Sequence, residues 1–329
     1  MNNLQTNQKK FQLEMSSLGT KLFSSPTVWI AYLLVILLFI IGHLVSPGFS
    51  SFSNIMNVLN ISALLGFIAL AQTLVVLSGD EGIDLSVGAT ASLGAVMGTQ
   101  IINGFDKQII VAVLAVLVTG FLIGCINGGG IAYFKVPPLV MTLAMASVIQ
   151  GMALVYTNGQ PKGMASPALK ALGVGNTFGV PNLILLWIFI MIIMGIFLKQ
   201  TKWGMILYGL GTNRLTTELS GVNTKVFQMM IYGASGAIAA FSGLLLISYT
   251  GTSYLDIGTT YMLPSIIAVV IGGVSLAGGL GSYNGSVAGV ILLTTLSSIL
   301  ITLNIDEGGR QIVYGVVLLI LLIIYGRNK

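Results

Sequence analysis

P-T-V-W-I-A-Y-L-L-V-I-L-L-F-I-I-G-H-L-V, residues 26–45, runs without a single Asp, Glu, Lys or Arg. A helix of that length rises about 30 Å, which matches the hydrocarbon thickness of a bilayer. The rest of the 329-residue chain carries the same signature. Hydrophobic residues make up 55% and charged residues 7%, where a soluble domain carries roughly 25% charged residues. So few charges cannot cover a water-facing surface, so lipid is the solvent for most of this chain. The mean hydropathy of +0.96 agrees. The 42 glycines suit membrane helices that pack closely, because small residues let backbones approach.

Working outward from residues 26–45, ten segments read as spans: 26–45, 55–77, 85–103, 108–127, 139–157, 182–198, 226–249, 263–279, 284–303 and 311–326. The eighth and ninth are rich in glycine and nearly continuous. The last is about 24 Å long at 1.5 Å per residue. The expected fold is all-α, a polytopic membrane helix bundle of about ten transmembrane helices. A polar tail over 1–25 precedes a transmembrane domain over 26–329.

Basic residues orient the bundle. With the amino terminus in the cytoplasm, Lys9, Lys10, Lys21, Lys135, Lys199, Lys202, Arg214, Lys225, Arg327 and Lys329 fall inside. Lys107, Lys162, Lys170 and Arg310 fall outside, which completes the fourteen. This bias predicts both termini in the cytoplasm and an even number of spans. Two connections are long: an outer one rich in turn residues around 158–181, and an inner, basic, amphipathic one over 199–225.

Several chemistries are absent. No G-x-x-x-x-G-K-(S/T) loop is present, so the chain is not expected to hydrolyse ATP itself. One His (His43) and one Cys (Cys125) give no His/Cys metal site, and no cofactor is expected. No nucleophile and base pair emerges, and the scattered basic residues are not a nucleic-acid footprint. The polar residues within spans are mostly neutral: Gln72, Thr73, Asn127, Thr142, Ser147 and Gln150. Such groups tie helices together or line a path for a hydroxylated solute; Gln72, Asn127 and Gln150 are the candidates for the path.

Three of the nine acidic residues, Asp80, Glu81 and Asp84, fall within six positions. Asp84 precedes L-S-V-G-A-T-A-S, a run of small and apolar residues. A carboxylate there can accept a hydrogen bond from the amides of Ser86 or Val87 and meets the positive end of the helix dipole. Asp84 and Ser86 therefore read as a helix cap. Gating, solute contact and ion coupling are the alternatives. N-G-S-V-A-G at 284–289 echoes D-L-S-V-G-A at 84–89, each after a V-V-x-x-G run, which suggests two hairpins of like orientation.

Four blocks occur in order: G-I-D-L-S-V-G at 82–88, G-T-N-R-L-T-T-E-L-S-G-V at 211–222, L-P-S-I-I-A-V-V-I-G-G-V-S-L-A-G-G-L-G-S at 263–282 and G-G-R-Q-I-V-Y-G-V-V-L-L at 308–319. With them the chain, from about 28 to 327, resembles the membrane permease subunits of bacterial ribose-type (monosaccharide) ABC importers. The resemblance implies the ABC importer permease fold in the bacterial inner membrane. It implies a second permease subunit (homo- or heterodimeric), ATP-hydrolysing subunits docked below and an extracytoplasmic sugar-binding protein above. Asp306 and Arg310 on the outer side are candidate contacts for that binding protein.

The resemblance also implies a short ATPase-coupling helix in the inner loop, at Gly211, Asn213, Arg214, Glu218 and Gly221. Leu215 and Leu219, at i and i+4, give that helix one apolar face. The family usually has small residues where this chain has Leu215 and Thr216, and a basic residue where it has Glu218. Competing cargoes are a furanosyl signal or a nucleoside, and the competing readings are an ion-coupled secondary transporter and a passive channel or structural membrane subunit.

Overall fold

Helix α2 (Phe52–Leu77) is the axle of the molecule, with 89% of its most apolar window buried. Ser51 starts it, its hydroxyl accepting from the Asn54 amide. The computed structural model describes residues 26–326. The predicted tail over 1–25 with Lys9, Lys10 and Lys21, and the terminal Arg327 and Lys329, lie outside the described residues.

The other elements are α1 (Pro26–Val45), α3 (Val87–Ile102), α4 (Ile109–Phe134), α5 (Pro138–Thr157), α6 (Pro167–Val174), a ribbon of β1 (Asn176–Thr177) with β2 (Val180–Pro181), α7 (Asn182–Gln200), α8 (Lys202–Thr212), α9 (Arg214–Leu219), α10 (Thr224–Thr250), α11 (Met262–Ile271), α12 (Tyr283–Thr302) and α13 (Glu307–Gly326). The expected all-α bundle is what forms, and each of the ten expected spans has its helix.

Around α2, helices α10 and α12 are also largely buried, whereas α1, α4, α5 and α7 turn most of their apolar surface outward. In lipid that exposure has no hydrophobic cost, so packing follows shape instead. Gly120, Gly124 and Gly128 on α4 let α10 approach; a Cβ on Gly124 would lie 1.9 Å from the Tyr232 carbonyl oxygen. One polar chain crosses the core. Trp187 Nε1 donates to the Tyr283 hydroxyl (2.8 Å), which donates to the Gly66 carbonyl (2.9 Å), tying α7, α12 and α2 together.

Loops 78–86, 135–137, 201–223 and 272–282 gather at one end of the bundle, the α9 end. Loops 103–108, 158–181 and 251–253 gather at the other, the α6 end, where the Ala168 amide donates to Asp106. Among the described basic residues, five lie toward the α9 end and four toward the α6 end. The larger sequence bias draws on the two termini.

One expected span is corrected. Among the described residues, seven helices are long and apolar enough to cross a bilayer by length and composition; α3 and α11 are shorter, and α13 is not one of the seven. The span expected over 263–279 stops at Ile271. Gly273, Gly278, Gly279 and Gly281 all take positive φ, which a helix cannot continue through. Its other end is short because the preceding chain, 253–258, runs down into the bundle without helix, and only a single 3₁₀ turn, Thr259–Tyr261, leads into α11. Ser253 Oγ sits 2.7 Å from Thr99 Oγ1, and the Gly258 amide donates to Ser92 Oγ at 2.9 Å. Residues 253–258 therefore descend about two turns along α3. Irregular backbone at membrane depth survives only when packed on protein or lining a water-filled space.

Candidate functional site

The acidic stretch proves to be two devices. At Gly79, Asp80 and Glu81 the backbone takes positive φ at three successive residues, reversing the chain so that residues 82–86 re-enter the bundle. Left-handed conformations at Asp and Glu are strained. Contacts on both sides hold them. Asp80 forms an ion pair with Arg214, the first residue of α9, while Glu81 is exposed.

The re-entrant part is clamped by side chains from three helices. Asp84 Oδ1 accepts from the Ser86 amide (2.8 Å) and the Ser86 hydroxyl (2.6 Å), just ahead of α3. Asn127 of α4 donates to Ser86 Oγ (3.0 Å). Thr142 of α5 accepts from the Leu85 amide (3.1 Å). Gln72 of α2, with its amide oriented to satisfy both groups, donates to the Asp84 carbonyl and accepts from the Asp84 amide, each at 3.1 Å. A loop without regular secondary structure thus has its polar groups satisfied inside the bundle.

Beside these two devices lies a junction of glycines. A Cβ on Gly211, in the last turn of α8, would lie 2.1 Å from the Leu77 carbonyl oxygen and 2.3 Å from the Gly279 amide nitrogen. Those two atoms are themselves hydrogen-bonded at 3.0 Å. A Cβ on Gly278 would lie 2.3 Å from Gly79 Cα. Three loops therefore touch backbone to backbone. Tyr208 braces them, its hydroxyl donating to the Gly281 carbonyl at 2.9 Å. Burial pushes that phenol up to about 12, so it remains a neutral donor at physiological pH.

Asn213 caps α9, its side-chain oxygen accepting from the Thr216 amide at 2.9 Å. Thr217 faces inward. Leu215 and Leu219 are 66% and 80% exposed on the opposite side, beside exposed Glu218. Gly221 ends the turn with φ +88 and open space around it.

The candidate path residues separate. Gln72 and Asn127 are fully enclosed and engaged in the clamp, while Gln150 lies on the exposed side of α5. A cavity of about 220 Å³ lined by Leu74, Phe121, Trp203 and Phe227 is apolar and offers nothing to a hydroxylated solute. At the α6 end, Arg310 pairs with Glu307, and Asp306 accepts from the Gly309 amide at 2.8 Å. The Asp80–Arg214 pair, the glycine junction and the loop that Gln72, Asn127 and Thr142 hold were not read from the sequence. Their partners lie far apart along the chain, and only the D-x-S spacing hinted at the cap.

Residues 54–325 match the permease component of branched-chain amino acid transport systems. The chain belongs to that family. It is similar to the ribose import permease protein RbsC of Escherichia coli strain K12, 32% identical over 90% of this chain and 92% of the relative. The RbsC of Bacillus subtilis strain 168 is 33% identical over 96% and 95%. The autoinducer 2 import system permease protein LsrC of Shigella flexneri is 31% identical over 91% and 86%. No solved structure matches.

In this permease the Asp80–Arg214 pair is partly exposed, with side chains 49% and 30% accessible, and exposed ion pairs contribute about 0–1 kcal/mol. Asp80→Ala or Arg214→Ala is expected to shift the thermal midpoint in detergent by that small amount, and less at high salt. The swapped pair, Asp80→Arg with Arg214→Asp, restores it. A loss of several kcal/mol, by contrast, would mean that the ion pair carries the loop.

Proposed function

We propose that this permease is the membrane subunit of an ATP-driven importer for a monosaccharide, ribose being the cargo named for its relatives. It works beside a second permease subunit, with ATPase subunits docked at the α9 end and a sugar-binding protein at the α6 end. The α9 end faces the cytoplasm of a bacterial inner membrane, and both termini lie on that side. ATP-driven closure of the partner moves α9, and the re-entrant loop and α3 follow, alternating access to the path.

The observation that carries this reading is α9 itself. It is a short capped helix whose two leucines point away from the chain, while its base is wired to the loop ahead of α3. An amphipathic helix with an unpartnered apolar edge is built to enter a groove. Leu215→Asp with Leu219→Asp is expected to abolish co-purification of the ATPase subunits and sugar uptake, and to leave the thermal midpoint unchanged because both sites are exposed. Unaltered uptake and association would overturn the assignment. Similarity to the autoinducer 2 permease supports that signal as a second cargo, and competition of ribose uptake by it distinguishes the two.

A further inference from the structure

We propose that Gln150, Tyr254 and Asp256 form a contact site for a neutral polyhydroxylated solute, within the bundle in the half nearer the α6 end. The inference rests on the transport reading above and deepens it by naming residues on the path.

Depth comes from the neighbours. Residues 253–258 run beside α3 from Thr99, in its last turn, down to Ser92, in the half of the helix Val87–Ile102 nearer the α6 end. That helix itself begins inside the bundle, because Gln72, more than a turn before the end of α2, holds Asp84. The segment is anchored by Leu255, which packs on the cluster of Ala89, Leu93, Ile149 and Ala153 from α3 and α5. Its two neighbours point elsewhere: Tyr254 is 55% exposed and Asp256 is exposed. Gln150, adjacent to Ile149 on α5, is exposed as well.

An exposed carboxylate at this depth does not face acyl chains. Ionisable groups inside the membrane face a bundle interior or a water-filled cavity and mark solute pathways. The chemistry on offer is specific. The Asp256 carboxylate accepts hydrogen bonds from hydroxyls and disfavours anions, so a phosphorylated sugar is excluded. The Gln150 amide both donates and accepts. The Tyr254 ring offers an apolar face to the C–H side of a sugar ring and a hydroxyl to its rim. Non-helical backbone at membrane depth is also where transporters place solute sites.

The test uses the whole transporter, with its ATPase and binding-protein partners, in proteoliposomes. In a Cys125→Ser background, Tyr254→Cys and Asp256→Cys are treated with a charged methanethiosulfonate. Val118→Cys, on the outward face of α4, is the lipid-facing control. Both site positions are expected to react about tenfold faster than position 118, because the thiolate needs water. Equal rates would overturn the site whatever the cargo.

Radiolabelled D-ribose uptake is the second readout. Asp256→Ala is expected to lower it about tenfold, the size of one lost charge-assisted hydrogen bond, with Asp256→Asn intermediate. Full uptake by Asp256→Ala would also overturn the proposal. If the unsubstituted transporter moves no ribose, the sugar reading fails, and the thiol labelling still decides whether the site faces water.

Discussion

Replacing Gly211 by alanine is expected to cost about 1–3 kcal/mol of stability, the usual range for overpacking, and to remove most uptake. The added Cβ would land between the Leu77 carbonyl and the Gly279 amide, wedging apart a hydrogen bond that joins α2 to the loop after α11. Both neighbours are backbone, so no side chain can rotate away. Gly195→Ala is the matched control, since a Cβ there meets nothing within 4 Å; helical glycine to alanine at an open site is neutral or stabilising by about 0.4–1 kcal/mol. Thermal unfolding in detergent and uptake in cells, normalised to membrane abundance, give the comparison. A Gly211→Ala protein that melts and transports like its parent would show that the loops do not meet there.

Gln72→Leu carries the second large effect. Leucine fills a similar volume but leaves the Asp84 amide and carbonyl without partners in a site closed to solvent. Each orphaned group costs about 1–3 kcal/mol. The same change at exposed Gln150 is expected to stay within about 0.5 kcal/mol, as surface substitutions do. Equal melting of Gln72→Leu and Gln150→Leu would mean that the re-entrant loop is held by packing alone. Asp84→Asn keeps an acceptor for Ser86 and is expected to be milder than Asp84→Ala.

Much of the architecture was legible because lipid makes it so. Uninterrupted apolar runs such as 26–45 and 182–198 define helices by length alone, and the boundaries of α1, α5 and α7 fall within two residues of expectation. Leu215 and Leu219 at i, i+4 announced a helix with an open edge. What failed was depth. Apolar composition says that a segment lies in the membrane, and it does not say how far the segment travels, so 263–279 was read as a full span. The glycines at 272–273 and 278–281 carried the stop signal within that run.

The T-G-T-S-Y-L-D stretch at 250–256, polar and opened by glycine between two apolar helices, was the available clue to the descending segment and to Tyr254 and Asp256. Gln72 and Asn127, named as candidates for the solute path, are buried and bonded to the loop over 84–86. Their partner, a loop that folds back into the bundle, is long-range in sequence and leaves no local pattern.

Where Gly79, Gly211 and Gly278 meet, no rotamer stands between one backbone and the next. Side-chain torsions are the soft springs of a protein and absorb small displacements; a contact made of main chain alone has none. A displacement of the α8–α9 corner would therefore pass undamped to the end of α2 and to the loop after α11, one rigid joint rather than two compliant parts in series.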